Sequence, residues 1–162
     1  MGTDELNIFE EEFWKINQVL EKLLTETNAR AVLLIDRAGQ LITSVGDTST
    51  LDVPSFATLS AADFAATAQL ALLIGENAFS TLFHQGENQS IYISIVADKL
   101  ILAIVFDKRT TLGLVRIKAN QVSKELDGIF KTIFTRIKST YEKTIDSDFL
   151  SEAESELDNL FK

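Results

Sequence analysis

The stretch STLFHQGENQSIYISIVADKLILAIVF (80–106) decides the fold. Three runs within it, Ser80 to Gln85, Ser90 to Val96 and Leu100 to Phe106, are rich in β-branched and aromatic residues. Gly86-Glu87-Asn88 and Asp98-Lys99 read as the turns between them. In the middle run Ile91, Ile93 and Ile95 alternate with Tyr92, Ser94 and Val96. The last run is apolar at every position, which fits a central strand covered on both faces. Three strands joined by short loops make an antiparallel meander.

Outward from the meander the periodicity changes twice. Upstream, Ser55 to Glu76 reads as a helix with Gly75 near its end, preceded by a loop from Gly46 to Pro54 that holds the only proline. Leu59, Ala62, Ala66, Leu70 and Leu73 form one face of that helix, and Ala61, Ala65, Ala68 and Leu72 nearly the opposite one. A helix apolar on two sides is expected to be buried on two sides, one of them against another chain. Further upstream, Ala31 to Ile35 and Leu41 to Val45 flank Asp36-Arg37-Ala38-Gly39-Gln40, the pattern of a hairpin. The chain opens with a helical stripe of Phe9, Phe13, Ile16, Leu20, Leu23 and Leu24, with Asn7 as N-cap and an end near Asn28. Downstream, a helix from Thr110 or Thr111 carries Val115, Ala119, Val122, Leu126, Ile129, Ile133 and Ile137 on one side.

The predicted class is α+β: a five-stranded antiparallel sheet in the order α-β-β-α-β-β-β-α, with helices on both faces. Residues 7–141 make one domain. Residues 142–162 form an acidic C-terminal tail with seven acids and two lysines, net −5 of the chain's −9. Ile145, Phe149, Ala153, Leu157 and Leu160 recur there at helical spacing. Two readings stay open for the tail: a disordered solubilising appendage, or a segment that folds on binding.

Composition narrows the chemistry. With 162 residues, 46% hydrophobic and 24% charged, the chain can bury a core without disulfides or metal. It has no cysteine, which removes thiolate ligands and thiol nucleophiles, and one histidine, which rules out a His-rich metal site. A net charge of −9 speaks against nucleic acid and anionic membrane as partners. Met1 to Glu12 carries five acids and no base, unlike a signal or transit peptide, and no apolar run approaches the roughly 20 residues that span a bilayer. A cytoplasmic domain is expected.

Catalytic candidates are few. His84 has no serine or carboxylate at a motif spacing and reads as a hydrogen-bonded strand histidine. Asp36 and Asp107 each follow an apolar strand; they would bind a metal only if their strand ends met, and otherwise serve turns. No P-loop pattern occurs. Arg109, in the loop before the last helix, is the arginine best placed to reach out. Nothing calls for a cofactor.

The order of elements resembles the Roadblock domain, and four local motifs are similar to bacterial MglB proteins. They are Leu34-Ile35-Asp36-Arg37-Ala38-Gly39-Gln40-Leu41-Ile42, Leu73-Ile74-Gly75-Glu76-Asn77, Phe83-His84-Gln85-Gly86, and Ile104 through Asp107-Lys108-Arg109-Thr110-Thr111 to Arg116. The likeness covers roughly Phe9 to Lys138, and the ending Asp158-Asn159-Leu160-Phe161 is similar too. The resemblance implies a homodimer joined at its sheet edges with the middle helices side by side. It also implies a function: stimulating GTP hydrolysis by a Ras-like small GTPase of the MglA type in cell polarity and motility, two protomers per GTPase. The family supplies no arginine finger and instead rearranges the GTPase's own catalytic groups. Ala61, Ala65, Ala68, Gln69 and Leu72 would then face the GTPase or the dimer mate, and Phe149, Leu157, Leu160 and Phe161 would make the tail contact. Gln69 is larger than the small residues the family often keeps there. By the same resemblance the protein would concentrate at a cell pole. The rival classes are a Roadblock scaffold without catalytic effect and a profilin-like or PAS-like sensor, which would need a ligand cavity.

Overall fold

The computed structural model describes residues 2–160, with side chains over 9–143, at 149 and over 151–160. Three helices and five strands follow in the predicted order. They are α1 (Gly2–Thr27), β1 (Ala31–Asp36), β2 (Leu41–Gly46), α2 (Val53–Leu73), β3 (Thr81–Gln85), β4 (Gln89–Val96), β5 (Leu100–Asp107) and α3 (Leu112–Leu160). Two compact units divide the chain, Met1–Ile129 and Phe130–Lys162.

In the first unit every strand pairing is antiparallel and the strand order is β2-β1-β5-β4-β3. The meander occupies one half of the sheet and the β1–β2 hairpin the other, with Ala31 opposite Val105 and Asp36 opposite Leu100 at the seam. β1 and β5 are therefore central. Successive side chains of a strand point to opposite faces, and here both faces are covered. Ala31, Leu33, Ile35, Ile93, Ile101, Ala103 and Val105 form one core with Ala57, Ala61 and Phe64 of α2. Val32, Leu34, Leu102 and Ile104 point the other way and are just as buried, as are Ile16, Leu20 and Leu23 of α1 and Val115, Ala119, Val122 and Leu126 of α3. Lys118–Glu26 (3.3 Å) and Lys22–Glu125 (3.7 Å) bridge α1 to α3. Each large aliphatic side chain buried in these layers contributes roughly 1.5–3 kcal/mol.

Several boundaries differ from the sequence reading, each for a physical reason. α1 begins at Gly2, so Asn7 lies inside the helix and not at its N-terminal boundary. Glu12 joins the buried stripe through its spacing to Ile16 and Leu23, and its charge is met by Lys15 at 3.8 Å. Pro54 belongs to the first turn of α2 and not to the loop, because proline there forfeits no helical hydrogen bond. Asp52 is the N-cap, accepting from the Ser55 N–H at 3.3 Å and the Ser55 hydroxyl at 2.7 Å. α2 stops at Leu73 because Gly75 takes a positive φ of 82°. The Gly75 and Glu76 N–H groups then turn back onto the carbonyls of Leu72 and Ala71, a Schellman end. The short β4–β5 turn is centred on Ala97 and Asp98, one residue earlier than Asp98-Lys99 suggests, with φ of 53° and 57°. Its Ala97 N–H donates to Asp127 Oδ1 of α3 at 2.6 Å.

α3 runs through Leu160 as one helix of 49 residues. A tail of this composition could not nucleate a helix alone, but propagation from an existing helix avoids that cost. In the second unit Phe130 and Phe134 stack at 5.8 Å, and Lys138 pairs with Glu142 at 3.8 Å. Beyond Phe134 every described side chain is exposed except Ala153, which is half-buried.

Ala97 carries a Cβ in a left-handed conformation that costs an L-residue about 1–2 kcal/mol, whereas glycine adopts it freely. Ala97→Gly should therefore raise stability by about 1 kcal/mol after the larger unfolded-state entropy of glycine is subtracted. Thermal unfolding should show a gain of about 2–4 °C; an unchanged or lower midpoint would mean that the turn is not strained.

Candidate functional site

α2 is the least ordinary element of the fold. By length and composition it is apolar enough to cross a membrane, more than a search for unbroken apolar runs suggests, yet it lies against the sheet through Ala57, Ser60, Ala61, Phe64 and Ala71. Much of its remaining surface is exposed and still apolar. Leu59 is 68% exposed and Leu73 82%, and Leu70, Leu72 and Ile74 are more than half exposed. Within the chain the helix is covered on one side only, which leaves open the side expected to meet another chain.

Two anchors orient its flanks. Toward the β3 side, Asp63 Oδ2 lies 2.5 Å from His84 Nε2, so the lone histidine is hydrogen-bonded, as its strand setting suggested. Toward the other side, the β1–β2 turn presses onto the helix: a Cβ on Gly39 would stand 2.9 Å from Thr58 Cα, and Gly39 has φ of 88°. No side chain fits there. From the same turn Arg37 reaches over the Phe64 ring, 5.9 Å from its centroid.

Helical spacing from these anchors sorts the exposed residues. Leu59, Ala62, Ala66, Leu70 and Leu73 form a ridge pointing away from the sheet and leaning toward β3. Ala65, Gln69 and Leu72 lie on the flank above the Arg37 turn; all three are exposed and Ala68 is half-buried beside them. Ala61 does not belong to that surface. It is 7% exposed, facing the sheet core, because its spacing to Ala57 and Phe64 places it on the buried side. The leucine ridge was visible in the periodicity, but the sequence held no sign of which face the sheet would take.

β3 is an edge strand whose described residues pair only with β4. It carries no proline, lysine or bulge to blunt that edge. In the second unit Phe149, Leu157 and Leu160 are exposed, and Phe161 lies outside the described residues.

Asp36 and Asp107 do not meet. Asp36 pairs with Leu100 and Asp107 with Gln89, at opposite ends of the central strands, so they cannot share a metal. Each serves a turn: the Asp36 carboxylate accepts from the Gln40 N–H at 2.9 Å, and that of Asp107 from the Arg109 N–H at 3.0 Å. Arg109 is not free to reach out, because its Nε donates to both Asp107 oxygens at 3.0 and 3.1 Å. Among the described residues no three His, Asp or Glu side chains gather as a metal site. A groove of about 260 Å³ with Phe83, Phe106 and Thr110 in its wall is smaller than ordinary small-molecule pockets, which start near 300 Å³.

A Roadblock/LC7 domain matches residues 15–106. Among solved structures the chain is similar to MglB of Myxococcus xanthus, with 47% identity and a TM-score of 0.72 over 75% of this chain and 92% of that one. It is also similar to the gliding protein MglB of Thermus thermophilus, 35% identical with a TM-score of 0.69 over 73% and 90% of the two chains. An MglB with a tetrameric arrangement is 34% identical with a TM-score of 0.69, over 73% and 89%.

The hydrogen bonds from the Arg109 side chain and N–H hold the Asp107 carboxyl below its ordinary value. Losing the guanidinium in Arg109→Ala should move it back up toward the ordinary carboxylate range, with the backbone N–H bond still holding it somewhat down. The pairing favours the folded state above the unfolded carboxyl value, and that contribution fades as pH falls through the depressed one. Carbon-detected NMR titration of the Asp107 carboxyl in both chains reads this directly; identical midpoints would show that the pair does not hold in solution.

Proposed function

The chain belongs to the Roadblock/LC7 family as an MglB-like member, a regulatory module by fold, and on that premise we propose that it is a homodimeric activator of a Ras-like small GTPase of the MglA type. The observation that carries this reading is the uncovered leucine ridge of α2 beside the unpaired edge of β3. Exposed apolar surface of this kind marks an interface. A second copy laid against β3 by two-fold symmetry would pair edge with edge, bring the two ridges together and cover both liabilities. The paired α2 helices then offer one platform to one GTPase, two protomers to each. Ala65, Ala68, Gln69 and Leu72 face that partner, with Ala61 supporting them from the core.

The protein brings no active site of its own to the reaction. It acts by rearranging the GTPase's catalytic groups, which suits a chain whose Arg109 is engaged by its own Asp107. Residues 7–141 are the Roadblock body in this reading, and the tail from 142 adds a contact through Phe149, Leu157, Leu160 and Phe161. The setting is the cytoplasm, with concentration at a cell pole, in polarity and motility. A scaffold would use the same α2 surface, so the two classes part only on turnover.

Light scattering should give a mass about twice 18.0 kDa, and Leu70→Arg should yield monomer. The wild-type chain should accelerate GTP turnover by the MglA-type GTPase. Ala65→Arg should abolish that stimulation, since desolvating the new charge costs several kcal/mol. A wild-type monomer at tens of micromolar would refute the reading; tight binding with unchanged turnover would make the protein a scaffold.

Deleting residues 146–162 should leave the dimer intact and weaken or alter regulation. Burying each large apolar side chain of the tail contributes roughly 1.5–3 kcal/mol, much of it offset by ordering at about 1–2 kcal/mol per residue. Equal affinity, stimulated hydrolysis and nucleotide exchange in the truncated chain would reduce the tail to a solubilising appendage.

A further inference from the structure

We propose that Arg37 is a specificity-determining residue of the GTPase-facing surface, where its guanidinium takes a carboxylate of the partner. The inference rests on the GTPase-activating reading and deepens it. α2, from Val53 to Leu73, contains one charged residue, Asp63, and that carboxylate is engaged by His84 on the opposite flank. The flank of Ala65, Gln69 and Leu72 therefore has no charge of its own. The charge beside it comes from the β1–β2 turn, and in a chain of net charge −9 it is positive.

That cation is held in place and left unpaired. Asp36 N–H donates to the Gln40 carbonyl at 2.9 Å and Gly39 N–H to the Asp36 carbonyl at 3.1 Å, which fixes the turn. The missing Cβ of Gly39 lets the turn sit directly on Thr58. Arg37 is exposed, lies over the Phe64 ring at cation–π distance and makes no ion pair with any described residue. The nearest acid in sequence, Asp36, has one carboxylate oxygen turned to the Gln40 N–H. A guanidinium that meets a ring only through its charge keeps its N–H groups free, and their fork matches a carboxylate in a way a lysine cannot. Beside an apolar strip such a group chooses among partners more than it adds bulk affinity, since an uncharged or basic partner leaves it unpaired. The partner recognised is thus a GTPase that presents an acidic side chain next to an apolar patch.

The test measures affinity and stimulated turnover of the MglA-type GTPase with the full-length wild-type chain, Arg37→Lys, Arg37→Gln, Arg37→Glu and Ala65→Arg. Gln retains part of the stem that covers Phe64, and unfolding midpoints confirm that each variant is folded. Arg37→Gln should weaken binding about tenfold and flatten its salt dependence, Arg37→Glu should weaken it further, and Arg37→Lys should fall between wild type and Gln. At saturating protein the turnover of the Gln variant should stay within about threefold of wild type; a fall of about 10³ or more would make Arg37 an arginine finger and overturn the docking role. Unchanged affinity in both Gln and Glu variants also overturns it. If Ala65→Arg abolishes binding while Arg37→Glu is silent, the activator reading stands and this inference alone falls. A wild-type chain that fails to bind the GTPase removes both.

Discussion

β1 and β5 are buried on both faces, and the rest of the structure follows from that constraint. A strand pair with no solvent side needs one cover made by α2 and another made by α1 and α3. The short loops leave little freedom over which helix takes which face. The β4–β5 turn is caught from the side by Asp127, so α3 is tied to the sheet by a hydrogen bond as well as by its apolar stripe.

The two covers are unequal. α1 and α3 share one face and shield each other's flanks, and charged pairs close the seam between them. α2 has its face to itself, so neither of its flanks has a neighbouring helix. A lone helix over a sheet normally turns polar residues outward; this one presents leucine and alanine. The unshared face of the sheet is also the one whose outermost strand, β3, is tied to the helix by the Asp63–His84 contact. Apolar helix and open strand edge therefore form one continuous surface. Arg37 stands at its far side on a turn that only glycine permits.

Much of this was legible in the residues. The order of elements and the hairpin with its glycine turn came from changes of period, and the both-sided burial of β5 from a run with no polar position. The two apolar faces of α2 were visible as well. Periodicity alone does not say which of them the sheet takes, so the resemblance assigns Ala61 to the partner surface although it lies in the core. That choice depends on where Gly39 touches the helix, a contact between residues far apart in sequence. Glu12 reads as a residue off the apolar stripe of α1, because a carboxylate reads as surface; the fold buries it with Lys15 beside it. Arg109 looked available because the Asp107 that binds it sits two residues back, where sequence suggests a turn and not a clamp. The helical course of α3 through Leu160 was hidden by composition, which reports what a segment can do alone and not what a preceding helix can propagate into it.

The uncharged outer ridge of α2 has a consequence for the protein's lifetime in a cell. A solitary chain shows a leucine ridge and an unguarded strand edge together, the features that chaperones and proteases recognise in incompletely folded proteins. Any partner that covers them stabilises the chain by mass action. Newly made molecules that stay unpartnered would be removed faster than those already assembled. Abundance would then follow the supply of partners instead of the rate of synthesis, and a fall in concentration would be amplified by turnover of the unassembled fraction.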